Sequence, residues 1–240
     1  VKVLSTRNWL AIVILIALFL GLIITAFVYD RPVRDAIVAS QAGRSWNESA
    51  EKHFWSQVSR NGDWPQLMIV GGLALFLAIW IKRRDWVQVI AAALIASTLS
   101  GALINVSRLT TGRVRPNNEA EHGVGFHGPW HEGRLTIGNH GLNAFPSGHT
   151  ATAVGFAAPF LFAKPILGVF VLLCALAIAW SRMQLGAHHL SDVVAATLIS
   201  LAVGWAVLYW VRRHGEVARE RFLALLLSVW QRMRGQPRST

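Results

Sequence analysis

Three short segments of this 240-residue chain hold ionisable and small polar residues whose types and spacing suit the handling of a phosphoryl group. The first is Ser107-Arg108-Leu109-Thr110-Thr111-Gly112-Arg113-Val114-Arg115-Pro116, the second Phe145-Pro146-Ser147-Gly148-His149-Thr150, and the third runs from Ser181-Arg182 to His188, His189 and Asp192. Arg108, Arg115 and Arg182 offer planar forked donors that match phosphate oxygens two at a time. Ser147 and Gly148 sit where a helix would begin, so free backbone N–H groups and the helix dipole favour an anion there, and Gly148 has no side chain to hold it off. His188 and Asp192 are four residues apart and share a face if helical. The carboxylate can then keep one ring nitrogen protonated and leave the other free to attack, while His149 supplies a proton to a departing oxygen. Singly, each group has an ordinary explanation. Arginines after an apolar span snorkel to headgroups, Pro-Ser-Gly often starts a helix, and a histidine at a helix end is commonly structural. Together they make one coherent site, provided the fold brings them to one place.

The elements that would do so are apolar helices. Hydrophobic residues make up 53% of the chain and charged residues only 15%, which excludes a disordered chain and an ordinary soluble enzyme. Apolar runs predict an all-α, six-transmembrane-helix bundle with interfacial loops and helices, its spans at about 9–28, 65–81, 86–106, 149–163, 166–180 and 190–211. The first run is too long for a signal peptide and is read as a retained anchor ending at Tyr29-Asp30-Arg31-Pro32. Between the fourth and fifth runs, Lys164-Pro165 predicts a tight hairpin. Trp9, Trp64, Trp80, Trp86, Trp180 and Trp210 fall at span ends, as interfacial aromatic residues do. Along the third span Ala93, Ser97, Gly101 and Asn105 recur every four residues, a small-residue stripe suited to close helix packing. The lone Cys174 lies in an apolar run and reads as a core residue.

Six spans put both termini on one side. Lys82-Arg83-Arg84 and Arg212-Arg213 mark that side as cytoplasmic, and the three segments above then share the outer surface. Residues 1–212 form the membrane domain, and residues 213–240 form a basic tail. Within the tail, Phe222, Leu226, Val229 and Met233 recur at helical spacing among arginines, as in an amphipathic helix on an anionic inner leaflet. Much of the formal charge of +11 is accounted for in this way, and nucleic acid is not an expected partner.

The three segments resemble the signature of the type 2 phosphatidic acid phosphatase superfamily, which also includes the vanadium-dependent haloperoxidases. Pro146-Ser147-Gly148-His149 matches its second motif in full. Ser181-Arg182, five residues, His188, three residues and Asp192 match its third. In the first motif Arg115-Pro116 is present, but Arg108 stands where the family has Lys. The resemblance implies a lipid phosphatase that needs neither metal nor cofactor, and the outward-facing site read from the charge pattern suits a bacterial inner membrane. The resemblance also implies that His188 is the nucleophile forming a phosphohistidine, Asp192 its orienting acid and His149 the general acid. Arg108, Arg115, Ser147, Gly148 and Arg182 would hold the phosphate. His189 adjoins the nucleophile, but motif spacing selects His188. Phosphatidylglycerophosphate, undecaprenyl pyrophosphate, phosphatidic acid and lipid A phosphates all fit as substrates. The rival readings are a haloperoxidase-like oxidoreductase, which six spans argue against, and a non-catalytic binding or transport protein, for which the spans lack ionisable residues.

Residues 117–145 form a long connection with six glycines and with His122, His127, His131 and His140. It reads as a polar lid over the site. A zinc site is the alternative, but the histidine spacings follow no zinc pattern and the connection has no cysteine. Residues 30–64 read as short interfacial helices beside the site.

Overall fold

A computed structural model describes residues 6–42, 45–46, 49–136 and 138–233, with the side chains of 6–8, 11–12, 109 and 216–233 outside the description. Among the described residues the regular structure is helical apart from one two-stranded hairpin and an isolated bridge between Arg113 and Phe126. In order come α1 (Thr6–Gln41), α2 (Ala50–Arg60), α3 (Trp64–Trp80), α4 (Arg84–Thr111), α5 (Glu119–His122), β1 (Trp130–His131), β2 (Arg134–Leu135), α6 (Gly148–Ala163), α7 (Pro165–Gln184) and α8 (Leu190–Met233). Among the described residues four helical stretches are long and apolar enough to cross a membrane: Val13–Gln41, Arg84–Arg108, Pro165–Gln184 and Leu190–Gly215. A fifth arises if α2 and α3, bent by 56° at their junction, count as one span. Such helices make this an integral membrane protein.

α6 explains why the count stops short of six. It has 16 residues, about 24 Å of helix, and it occupies the centre of the bundle, packed on α4, α7 and α8. Small residues make that burial feasible. The predicted stripe on α4 meets α6 directly: Ala93 and Ser97 are fully buried, and the Ser97 hydroxyl donates to the Thr152 carbonyl at 2.9 Å. A Cβ on Gly155 would lie 2.8 Å from the Ala96 carbonyl oxygen, so glycine there sets the α4–α6 approach. Lys164 alone separates α6 from α7, and Pro165 opens α7, which gives the predicted hairpin. At that turn Lys164 pairs with Asp85 at 2.9 Å and lies over the Trp86 ring, so the hairpin sits at the same end of the bundle as the start of α4. The C-terminal end of α4, the start of α6, the end of α7 and the start of α8 all lie at the opposite end. Side chains such as Val13, Leu73, Phe76, Phe170 and Trp205 remain exposed on the outer helix faces, where a bilayer would cover them.

The region 30–41 continues the first helix, where a separate interfacial helix is expected. α1 runs through Pro32 without ending. Asp30, Val33, Ile37 and Gln41 recur every three or four residues and dock on the bundle. Ile37 and Val33 pack with Ala179, Met183 and Val193, and Gln41 donates to the Gln184 carbonyl at 3.0 Å. A proline inside a helix costs one backbone hydrogen bond, and this contact face offsets it. α8 likewise continues past its span to Met233. The side chains on which the amphipathic-tail reading rests lie outside the described residues.

The connection 117–145 is folded onto the end of α4. Val114 N–H donates to the Gly125 carbonyl, His127 N–H to that of Gly112 and Gly128 N–H to that of Thr111. Gly112, at φ +52°, closes α4, and a Cβ on it would come within 2.0 Å of the Gly128 carbonyl oxygen. Only glycine meets both demands.

Candidate active site

The expected residues reach this end of the bundle at four helix termini, the ends of α4 and α7 and the starts of α6 and α8. Arg108 sits in the last turn of α4 and donates through Nε to the Pro146 carbonyl at 2.8 Å. Its guanidinium lies against the start of α6, where a Cβ on Gly148 would stand 3.1 Å from both terminal nitrogens. Arg115 follows the α4 cap, and its backbone N–H donates to Gly141 at 2.8 Å. Arg182 lies in the last turn of α7 and donates to the Ser59 hydroxyl at 2.6 Å. Ser147 is the N-cap residue of α6, but its side chain accepts no capping bond from the helix backbone. Its Oγ accepts from the Thr150 hydroxyl at 2.9 Å, and its N–H donates to the Asp192 carbonyl at 3.1 Å. α6 and α8 are thereby joined at their first turns.

His188, 2% exposed, is fixed in one tautomer by its surroundings. Nδ1 lies 2.7 Å from the Ala144 carbonyl oxygen, which can only accept, so Nδ1 carries the proton and Nε2 is left as a lone pair. Sequence spacing assigned this task to Asp192. The Asp192 carboxylate is 3.5 Å from Nδ1, and its close partners are the His189 backbone N–H at 2.7 Å and the Arg113 guanidinium. Burial first, then the charges of Arg108, Arg182 and Arg115, hold the His188 imidazole well below its ordinary pKa of 6.5, so the ring is neutral. Burial also lowers Arg115, against the pull of Asp192. His188 Nε2, Arg108 Nη2, Arg115 Nε and Arg182 Nε are all buried with no hydrogen-bond partner among the described residues. Three arginine donors and one imidazole lone pair, all buried and unpartnered at one end of the bundle, suit a tetrahedral oxyanion.

His189 is not interchangeable with its neighbour. Its Nε2 faces the Val114 carbonyl at 3.1 Å, with Glu119 at 3.8 Å, away from the arginines of the site. Burial and then Arg113 lower its pKa from 6.5 to about 4.

Arg113, which the motif reading passed over, is the hub beneath the site. It is 6% exposed and pairs with Asp192, with the Ser191 hydroxyl at 2.7 Å and with Asp30 of α1 at 2.6 Å. Asp30 in turn accepts from both the backbone N–H and the hydroxyl of Ser191 at 2.7 Å. The guanidinium carbon lies 4.9 Å from the Phe126 ring centre and 5.0 Å from that of Phe27. Asp63 was missed as well. It stands at the head of α3, 2.6 Å from His149 Nε2.

In the connection 117–145, the His127 and His131 rings lie 3.9 Å apart and His127 Nε2 meets the His122 carbonyl at 3.1 Å. Among the described residues no group of three or more His, Cys, Asp or Glu side chains is arranged to hold a metal ion.

Comparison with known proteins adds the family. The PAP2 superfamily model matches residues 86–216, which include all three motif segments. A lipid A 1-phosphatase of Rhizobium johnstonii is 33% identical over 96 residues, covering 40% of this chain and 37% of that protein. A lipid A 4'-phosphatase of Bacteroides thetaiotaomicron is 31% identical over 152 residues, covering 61% of this chain and 64% of that protein. The chain thus spans less than two thirds of the length of these curated relatives. Among solved structures, a PAP2-type phosphatidylglycerolphosphate phosphatase from Bacillus subtilis aligns over 82% of this chain and 96% of that one, with a TM-score of 0.49 at 18% identity.

Proposed function

The chain belongs to the PAP2 superfamily, and from that premise we propose that it is a lipid phosphatase acting through a phosphohistidine at the membrane surface. The observation that carries this reading is the set of buried, unpartnered nitrogens on Arg108, Arg115, Arg182 and His188. The three arginines and the backbone at Ser147 and Gly148 hold the phosphoryl oxygens and offset the charge that develops on them. His188 Nε2 attacks phosphorus in line as the bond to the lipid oxygen breaks, and His149 delivers a proton to that oxygen. Water, deprotonated by His149, then cleaves the phosphohistidine. Asp192 acts on His188 through the loop that it holds, by way of the His189 backbone. No step calls for a metal or a cofactor.

The substrate is a lipid phosphate monoester or diphosphate. Lipid A phosphates head the candidates because both curated relatives described above are named as lipid A phosphatases; phosphatidylglycerophosphate, undecaprenyl pyrophosphate and phosphatidic acid follow. The chain lies in a bacterial inner membrane with both termini cytoplasmic. α6 and the α2–α3 pair complete six crossings, and the site faces outward. Opposite ends for the motif segments and the basic turn at Lys82-Arg83-Arg84 favour this orientation.

The test is phosphate release by the detergent-purified protein from the four lipid classes, with and without EDTA, beside His188→Ala. EDTA-resistant release that falls to background in the variant is the expected result. Release abolished by EDTA, or retained by a folded His188→Ala protein, would overturn the mechanism.

A further inference from the structure

His149 is set by a partner from another helix. Its Nε2 lies 2.6 Å from Asp63 Oδ1. Asp63 is the N-cap residue of α3, where an aspartate ordinarily accepts a bond from the helix backbone, yet its side chain makes no such bond. The carboxylate is turned instead to a ring on α6. The segment that carries it is pinned on both sides. The Gly62 carbonyl accepts from the Thr152 hydroxyl at 2.7 Å, one turn below His149, and a Cβ on Gly62 would lie 2.4 Å from an Ile178 methyl on α7. Four residues before Asp63, Ser59 is buried and accepts the bond from Arg182. The α2–α3 junction therefore braces one phosphate-facing arginine and one histidine together.

We propose that Asp63 is a positioning residue for proton transfer, which holds the Nε2 side of His149 and favours the imidazolium when it forms, while Nδ1 faces the leaving oxygen. This rests on the proposed phosphatase reading, in which His149 is the proton donor. The ring needs such support. Burial first, then the charge of Arg182, lowers the His149 pKa from 6.5 to about 4, with Arg108 and Arg115 adding to the fall, and the Asp63 carboxylate is the group that opposes it. In the forward step Nδ1–H passes its proton to the lipid oxygen as the P–O bond breaks, leaving a neutral ring with its remaining proton toward Asp63. In the hydrolytic step Nδ1 takes a proton from the attacking water, which restores the cation beside the carboxylate. Proton count and charge balance over the cycle.

The dependence on leaving group separates this role from a merely structural one. An alkyl lipid phosphate departs as a poor leaving group and needs the proton, whereas p-nitrophenyl phosphate departs as a stable anion and needs it little. For Asp63→Asn, kcat/KM on short-chain phosphatidic acid should fall on the order of 10²-fold, as for a weakened general acid. The fall on p-nitrophenyl phosphate should be under about threefold by the same comparison. Asp63→Glu should recover part of the lipid rate, and His149→Ala should show the same leaving-group bias more strongly. Melting temperatures of the variants in detergent, unchanged in Asp63→Asn, tie the loss to chemistry. Equal losses on both substrates, or an unchanged lipid rate in Asp63→Asn, would overturn the proposal while leaving the phosphatase reading intact. A wild-type protein inactive on every phosphate ester would overturn both.

Discussion

Replacing Arg113 by methionine should destabilise the protein more than Asp30→Asn does. One guanidinium serves two carboxylates, Asp30 on α1 and Asp192 on α8, which are 7% and 0% exposed. Methionine fills much of the same volume and can still pack against Phe27, Phe126 and Phe145, so the change isolates charge. Removing one partner of a buried pair costs about 3–5 kcal/mol, because the other charge stays buried without compensation. At roughly 2–4 °C per kcal/mol for a chain of this size, the melting temperature should fall by about 6–20 °C. Tryptophan fluorescence in detergent reads this directly. A cycle with Asp30→Asn supplies the sharper check. In the wild type that change breaks a charged contact, at a cost of about 1.5–3 kcal/mol. In the Arg113→Met background it removes one of two uncompensated carboxylates, and its cost should vanish or change sign. Arg113→Met within about 1 kcal/mol of wild type, against the 3–5 expected of a buried pair, would refute this account. So would an Asp30→Asn effect that is equal in the two backgrounds.

Two further predictions follow from packing and protonation. Gly168→Ala should destabilise the α6–α7 hairpin by about 1–3 kcal/mol or more, since the new Cβ would lie 2.2 Å from the Leu161 Cα and backbone cannot yield as a side-chain tip can. Gly72→Ala, with nothing within 4 Å, is the control that should stay within about 1 kcal/mol. The second concerns acid. His189 is neutral in the fold, with a pKa of about 4, and protonates near 6.5 when unfolded. Between those values the unfolded chain binds the extra proton, so this stabilisation is complete above about pH 6.5 and is lost as pH falls toward 4. The full loss is worth about 3 kcal/mol, and His189→Gln should flatten the fall in melting temperature over that range. An equally steep fall in the variant would refute the assignment.

The motif segments were legible because each keeps its chemistry within one element end: Ser147, Gly148 and His149 open one helix, and His188 and Asp192 fall within five residues of each other. Local spacing reports local geometry. The hairpin at Lys164-Pro165 and the small-residue stripe on α4 were readable for the same reason, as each is stated by a few neighbouring residues. Misreadings began where a residue's partner lies far along the chain. Tyr29-Asp30-Arg31-Pro32 looks like the end of a span, and nothing near it says that Asp30 will meet Arg113, 83 positions away. The three- and four-residue spacing of Asp30, Val33, Ile37 and Gln41 is the local signal that favours a helix continued through Pro32.

Asp192 sharpens the point. Its spacing from His188 is right for a direct contact, yet a backbone carbonyl at residue 144 takes the nearer position, and backbone acceptors carry no sequence signal. The carboxylate then meets Arg113, a residue inside the first motif segment to which the motif assigns no role. Arg108 and Arg115 leave donors unpartnered and Arg113 spends its own on carboxylates, so arginines five and two residues apart divide into two layers. Their separation follows from the chain reversal at Gly112, which ends α4 between Arg108 and Arg113 and turns Arg113 inward while Arg115 returns to the surface of the site. A helix carried straight through that glycine would place Arg108 and Arg115 on one face and Arg113 away from Asp192. The left-handed glycine at the end of α4 is therefore what lets one arginine-rich stretch both face the site and support it from beneath.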